Sequence, residues 1–180
     1  MAKEIKLNLG SGRDLQEGFI NVDIHYDFKD KSYVRSDVRK LPFKDNYADY
    51  ILAREIIEHI PTIDLISTLK EWIRVLKPGG RLVITCPDFN QMAEEWLNND
   101  FTPDLYYELA QGIYGNQQMD KEYHLSPMTP QFFKYALGSL GRDANISTYP
   151  RGHIMKDYPG YKGDPTRAYR FGQIHVIIDK

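Results

Sequence analysis

Gly10, Ser11 and Gly12 follow an alternating apolar and polar stretch, Ile5 to Leu9, and Asp23 closes a second such stretch, Phe19-Ile20-Asn21-Val22. Glycines after a strand let the backbone take positive φ and come close to a bound molecule. A carboxylate ending the next strand can accept hydrogen bonds from both hydroxyls of a ribose. A lone Gly-x-Gly fits a tight turn equally well, so Asp23 is what tips the reading towards a nucleoside. The dinucleotide pattern G-x-G-x-x-G is not met, because its third glycine would fall on Leu15. The ten residues between Gly12 and Asp23 leave room for about one helical turn, short of a full crossover helix. Pyrophosphate binding at a helix N-terminus therefore does not apply, and a nucleoside cofactor without a diphosphate suits the loop better. Ser36-Asp37-Val38 comes third: a polar side chain followed by an apolar one can read the amino edge of an adenine and pack its face.

The acid–base candidates lie further on. His59 ranks first, since an imidazole titrates near neutrality; the same position equally suits a helix-start histidine packed under a loop. Glu58 can orient it or meet an acceptor, and His124 is a second base. Tyr114 and Gln117 can line an acceptor pocket, with Asp88 and Asn90 on the same rim. No metal-ligand spacing appears, so no metal site is expected. Cys86 is the only cysteine, which excludes an internal disulfide and a cysteine-based zinc cluster. A buried structural thiol is the expectation for it.

These residues need a scaffold, and the pattern of elements specifies one. Short strands are expected at Ile5–Leu9, Phe19–Asp23, Tyr33–Ser36, Tyr50–Ala53 and Arg81–Cys86. Leu65, Ile66, Leu69, Trp72, Ile73 and Leu76 recur at helical spacing; Thr62 or Asp64 caps the start, and Lys77-Pro78-Gly79-Gly80 ends the helix. Alternating strands and helices specify βαβ units in a parallel sheet. Residues 88–129 depart from that rhythm and read as two amphipathic helices inserted over one edge of the sheet. A further helix follows Pro130, then strands at Ile146–Tyr149 and Gln173–Ile178, joined by a long Gly/Pro/Tyr-rich loop. The whole, residues 1–180, reads as one α/β domain, and 180 residues suffice for one real core.

Lys and Arg number 23 against 25 Asp and Glu. That balance disfavours a protein whose main task is gripping nucleic acid, although the last forty residues lean basic through Arg142, Arg151, Lys156, Lys162, Arg167, Arg170 and Lys180. No signal peptide and no apolar run of membrane-spanning length is present, so the cytoplasm is the expected compartment and no membrane partner is expected.

The ordered set Leu7-Asn8-Leu9-Gly10-Ser11-Gly12, Gly18-Phe19-Ile20-Asn21-Val22-Asp23, Asp37-Val38, Leu41-Pro42-Phe43, Asp49-Tyr50-Ile51, Glu58-His59-Ile60 and Arg74-Val75-Leu76-Lys77-Pro78-Gly79-Gly80-Arg81-Leu82 resembles class I S-adenosylmethionine-dependent methyltransferases, in particular the short bacterial and phage type with a truncated first helix. The resemblance covers residues 5 to about 88. It implies a Rossmann-like seven-stranded sheet, order 3-2-1-4-5-7-6 with the last strand antiparallel, and S-adenosyl-L-methionine as cofactor. It further implies that Leu9, Gly10, Ser11 and Gly12 back the methionine and ribose, that Asp23 holds the ribose hydroxyls with Ile24 near the adenine, that Asp37 and Val38 meet the adenine, and that Arg54 lies near the methionine. Where many relatives carry an acidic residue two positions before the first glycine, this chain has Asn8. Ala53-Arg54-Glu55-Ile56 stands where amino-methyltransferases of bases carry an Asn/Asp-Pro-Pro-aromatic motif. A small-molecule acceptor, a hydroxyl of a polar compound or sugar, is the first reading. The alternatives are an RNA or protein methyltransferase and a non-catalytic cofactor-binding module.

Overall fold

The computed structural model describes residues 3–26, 28–100, 102–119, 122–153 and 170–180. Its strands are β1 (Lys6–Leu9), β2 (Ile20–Asp23), β3 (Tyr33–Arg35), β4 (Ala48–Arg54), β5 (Leu76–Pro87), β6 (Asn145–Tyr149) and β7 (Gln173–Asp179). Its helices are α1 (Leu65–Val75), α2 (Phe89–Asn98), α3 (Pro103–Tyr114) and α4 (Pro130–Ser139). The strands form one sheet in the order β3-β2-β1-β4-β5-β7-β6. β7 runs antiparallel to both β5 and β6, and the other neighbouring pairs are parallel. This is the architecture expected from the sequence.

Alternation within the strands decides which face is buried. Leu7, Ile51, Leu82 and Ile178 stand side by side in register, as do Leu9, Ala53, Ile84 and Val176, and all are buried. Leu69, Trp72 and Ile73 of α1 and Phe133, Ala136 and Leu137 of α4 join them in one core. Each leucine, isoleucine, valine and phenylalanine among them contributes about 1.5–3 kcal/mol by leaving water.

The opposite face explains the truncated first crossover. There Asn8 and Asn21 lie side by side in register. Asn8 Nδ2 donates to Asn21 Oδ1 (2.9 Å) and to the Asp14 carbonyl (3.1 Å), while the Gln16 N–H donates to Asn21 Oδ1 (2.8 Å). Two buried amides thus tie down a short loop of turns where a longer chain would lay a helix, and Asn8 is consumed by that scaffold. Leu52 and Val83 form a second, thin cluster on this face with Phe19, Tyr50, Tyr149 and Ile177.

Two local expectations need correction. β5 begins at Leu76, immediately after α1, and Lys77-Pro78-Gly79-Gly80 belongs to the strand as a bulge: Ala48 pairs with Leu76, then Tyr50 with Arg81. The Lys77 ammonium on the Asp49 carboxylate (2.7 Å) and the Gly79 N–H on the Lys180 carbonyl (2.8 Å) hold the bulge in place. Neither Thr62 nor Asp64 caps α1 through its side chain. A 3-10 turn, Thr62–Asp64, precedes the helix; the Thr62 hydroxyl bonds to Ser126 Oγ (2.9 Å), and Asp64 pairs with Arg39 (2.9 Å). Among the described residues no helix is long and apolar enough to cross a membrane. The long loop before β7 lies largely outside the described residues.

Candidate functional site

The loops leaving the carboxyl ends of β1, β2, β3 and β4 converge on a crevice of about 540 Å³. Ligands of open α/β sheets sit beyond this end of the strands. Gly10, Gly12, Asp23, Ile24, Asp37 and Val38 line it, six of the residues expected there from the sequence.

The two glycines are needed for different reasons. Gly10 has φ +63°, and a Cβ there would lie 2.5 Å from the Ile56 side chain, so its missing side chain makes room for the chain leaving β4. Gly12 has φ +53° and nothing within 4 Å of where its Cβ would stand. That open space belongs to the crevice. Ser11 is buried, and its hydroxyl has no hydrogen-bond partner.

Asp23 is positioned by backbone donors: Oδ2 accepts from the Gly12 N–H (2.9 Å) and Oδ1 from the His25 N–H (2.7 Å). Each oxygen keeps acceptor capacity for a further donor, and the carboxylate faces the crevice. Ile24, half-exposed, offers an apolar surface beside it. Asp37 is gripped by the Arg39 guanidinium (2.7 Å), which holds its carboxyl below the usual range. Val38 is fixed from beneath, since its carbonyl accepts the Trp72 indole N–H at 2.9 Å. An open glycine, an orphaned hydroxyl, a seated carboxylate and two apolar side chains suit a nucleoside that carries no phosphate.

Three of the expected residues lie elsewhere. Leu9 is fully buried in the core. Ser11 sits just behind the lining. Arg54 is not among the lining residues, and its guanidinium pairs with Asp14 on the loop after the glycines.

Past β4, Glu55 takes a left-handed φ of 50° and turns the chain into a 3-10 turn, Ile57–His59. A non-glycine residue in that region carries strain that the surroundings must impose. Glu55 and His59 both line the crevice. His59 Nδ1 lies 2.9 Å from the Tyr123 carbonyl and His124 Nδ1 lies 2.8 Å from the Gly112 carbonyl. A carbonyl only accepts, so each ring donates through Nδ1 and presents Nε2 as a lone pair. The rings meet edge to face, with centroids 4.9 Å apart. Burial lowers the pKa of both, His124 to about 4. Glu58 is 2% exposed, and neither carboxylate oxygen has a partner among the described residues. Burial first, then the charge of Glu55, pushes its carboxyl well above the usual carboxylate range.

His124 also lines a second pocket, of about 530 Å³, with Phe89, Trp96, Leu97, Ile113 and Tyr114. Residues between 88 and 129 thus supply a largely apolar, aromatic pocket to which His124 contributes an imidazole. Asp88 serves this cover as the buried cap of α2, accepting from the Asn90 N–H (3.0 Å). Asn90 binds Gln131 (2.9 Å). Neither faces the rim as expected. Cys86 is buried, with its thiol pKa raised by burial. In the basic tail, Arg151 pairs with Glu95 and Glu108, and Lys180 donates to the Ile73 and Leu76 carbonyls (both 2.7 Å). Lys156, Lys162 and Arg167 lie outside the described residues.

A model of the methyltransferase domain family matches residues 11–84. A demethylmenaquinone methyltransferase of Staphylococcus saprophyticus is 32% identical over 106 residues, 58% of this chain and 43% of that protein. Its counterpart in Staphylococcus epidermidis is 35% identical over 82 residues, 46% of this chain and 32% of that protein. The chain therefore spans less than half the length of these relatives. Among solved structures, a SAM-dependent methyltransferase from Archaeoglobus fulgidus superposes with a TM-score of 0.62 at 20% identity, covering 98% of this chain and 86% of that one. The 1,6-didemethyltoxoflavin-N1-methyltransferase of Burkholderia thailandensis, with S-adenosylhomocysteine bound, gives 0.59 at 12% identity, covering 98% and 70%. These likenesses establish the fold.

Proposed function

We propose that this chain is a class I S-adenosylmethionine-dependent methyltransferase that moves a methyl group from S-adenosylmethionine to a small-molecule acceptor, a reading supported by the family match over residues 11–84. The observation that carries the reading is Asp23, held in the lining of the crevice by two backbone N–H groups, one of them from the open Gly12. In this reading Asp23 holds the ribose hydroxyls, Gly10 and Gly12 back the ribose and methionine, and Ile24 and Val38 pack the adenine beside Asp37. When bound, the cofactor supplies a methyl group already made electrophilic by its sulfonium.

What remains for the chain is alignment, which can lower a barrier by about 7–11 kcal/mol, and handling of the acceptor's proton. Glu58, His59 and His124 stand between the crevice and the second pocket and take that second task. The chamber over them is lined by Phe89, Trp96, Leu97 and Ile113. A hydroxyl on an apolar ring fits that lining better than a sugar does. The relatives are named demethylmenaquinone methyltransferase, which accords with a small-molecule acceptor.

The test is formation of S-adenosylhomocysteine from S-adenosylmethionine with a panel of ring hydroxyl compounds and sugars. The reading expects turnover with the former, and His59→Ala lowering turnover while cofactor affinity holds. Turnover with sugars alone would contradict the acceptor class. An equal loss of turnover and affinity in His59→Ala would make that histidine structural.

A further inference from the structure

Glu58, His59 and His124 meet where the crevice, lined by His59, adjoins the second pocket, lined by His124. One ligand atom from each lies within 4.8 Å of the others. The sequence showed no metal spacing because the third ligand comes from 65 residues downstream, in the cover. We propose that these three side chains bind a divalent transition-metal cation of borderline hardness. The proposal rests on the reading of this end as the acceptor end, but its test does not depend on cofactor binding.

Four observations support it. Among the described residues the buried carboxylate of Glu58 has no partner on either oxygen, and a buried polar group left unpaired is costly. A cation gives it the partner it lacks. Both imidazoles are fixed by Nδ1–H donation to backbone carbonyls, the outer support that ligating histidines use to orient Nε2 towards a metal. The local field favours a positive ion: Glu55 and Glu122 line the adjoining crevice, and Glu122 Oε2 is likewise buried with no partner among the described residues. The frame is rigid, because the Glu58 carbonyl accepts from both the Leu125 (2.8 Å) and Ser126 (3.1 Å) N–H groups and staples the two ligand segments together.

Two imidazole nitrogens and one carboxylate oxygen suit Mn²⁺, Fe²⁺, Co²⁺ or Zn²⁺ over the all-oxygen preference of Mg²⁺ and Ca²⁺. Ligands of a four-coordinate ion at about 2.0–2.1 Å stand roughly 3.4 Å apart. Atoms separated by up to 4.8 Å therefore draw together by at most about 1.4 Å on binding. Three protein ligands leave a position open. An acceptor hydroxyl bound there is held in place and ionises more readily, so the three side chains act on its proton through the ion they hold and not as free bases, and the proton passes to solvent.

The experiment uses the full chain, stripped with a chelator and titrated with Co²⁺, which reports coordination through its visible absorption. The expected result is one Co²⁺ per chain with a visible band. In Glu58→Gln and in His124→Gln the affinity falls more than about 100-fold, the upper end of what losing even an outer partner costs, while S-adenosylhomocysteine still binds. Should one variant fail to fold, the other and His59→Gln carry the comparison, with thermal unfolding as the control. No band in the wild type, or a band unchanged in the folded variants, overturns the proposal. Tight binding of Mg²⁺ with no response to Co²⁺ overturns the assigned class. Failure of S-adenosylhomocysteine to bind, with Co²⁺ bound normally, would instead strike the cofactor reading.

Discussion

Replacing each glycine of the first loop with alanine separates a structural requirement from a binding one. Gly10→Ala places a Cβ at φ +63° and 2.5 Å from the Ile56 side chain. The left-handed backbone costs about 1–2 kcal/mol, and forcing an extra carbon into a packed site a further ~1–3 kcal/mol. The sum, about 2–5 kcal/mol, lowers the melting temperature of a chain this size by about 2–4 °C per kcal/mol. Gly12→Ala bears only the backbone cost, since nothing lies within 4 Å of its new Cβ. Its methyl group instead occupies space in the crevice. Urea unfolding and calorimetry with S-adenosylhomocysteine on both variants give the contrast: a large loss of stability for Gly10→Ala, and for Gly12→Ala a loss of affinity that exceeds its small loss of stability. Adding Ile56→Ala to Gly10→Ala relieves the contact, so the double variant is more stable than the two single losses sum to, by about 0.5–3 kcal/mol. Additive losses, or wild-type affinity in Gly12→Ala, would refute this division of roles.

Two further predictions concern the supports of the site. Trp72→Phe orphans the Val38 carbonyl and leaves a void under the adenine side of the crevice; a loss of about 2–4 kcal/mol in urea unfolding is expected, accompanied by weaker S-adenosylhomocysteine binding. The Asp49 carboxyl, held down by the Ile5 N–H and by Lys77, and the Glu71 carboxyl, held down by Arg74 and the Leu41 N–H, lie below their ordinary values of 3.8 and 4.5. Their stabilisation is full above those values and is lost as pH falls through the lower folded ones. Urea midpoints measured from pH 6 down to pH 2 therefore decline below about pH 4.5, less steeply in Asp49→Asn and Glu71→Gln. A wild-type slope in both variants would contradict the assignment.

Much of the fold was legible because alternation and glycine placement are local. Leu7 and Leu9 against Asn8, and the near-continuous apolar run at Tyr50–Ala53, suffice to mark central strands, and Asp23 follows from its position at a strand end. The misreadings share a cause: a partner far away in the chain. Lys77–Gly80 carries helix-ending residues, yet the Asp49 carboxylate and the Lys180 backbone draw it into the sheet as a bulge. Asp64 has the chemistry of a cap but spends it on Arg39. Arg54 pairs with Asp14, 40 residues before it, whereas Asp88 is the exception, spent close by on capping its own helix. The meeting of Glu58 and His59 with His124 could not be read from spacing at all, because the cover over residues 88–129 has to fold back before the third ligand arrives.

The central claim is that one carboxylate holds the sugar of an adenosyl cofactor at the carboxyl end of the sheet. Calorimetric titration of S-adenosylhomocysteine into the wild type and Asp23→Ala tests it most directly. Two charge-assisted hydrogen bonds of about 1.5–3 kcal/mol each correspond to a loss of about 10²–10⁴-fold in affinity. The account predicts a single site in the wild type and a loss of that size in the folded variant. Equal affinity in both proteins, with both folded, would contradict it.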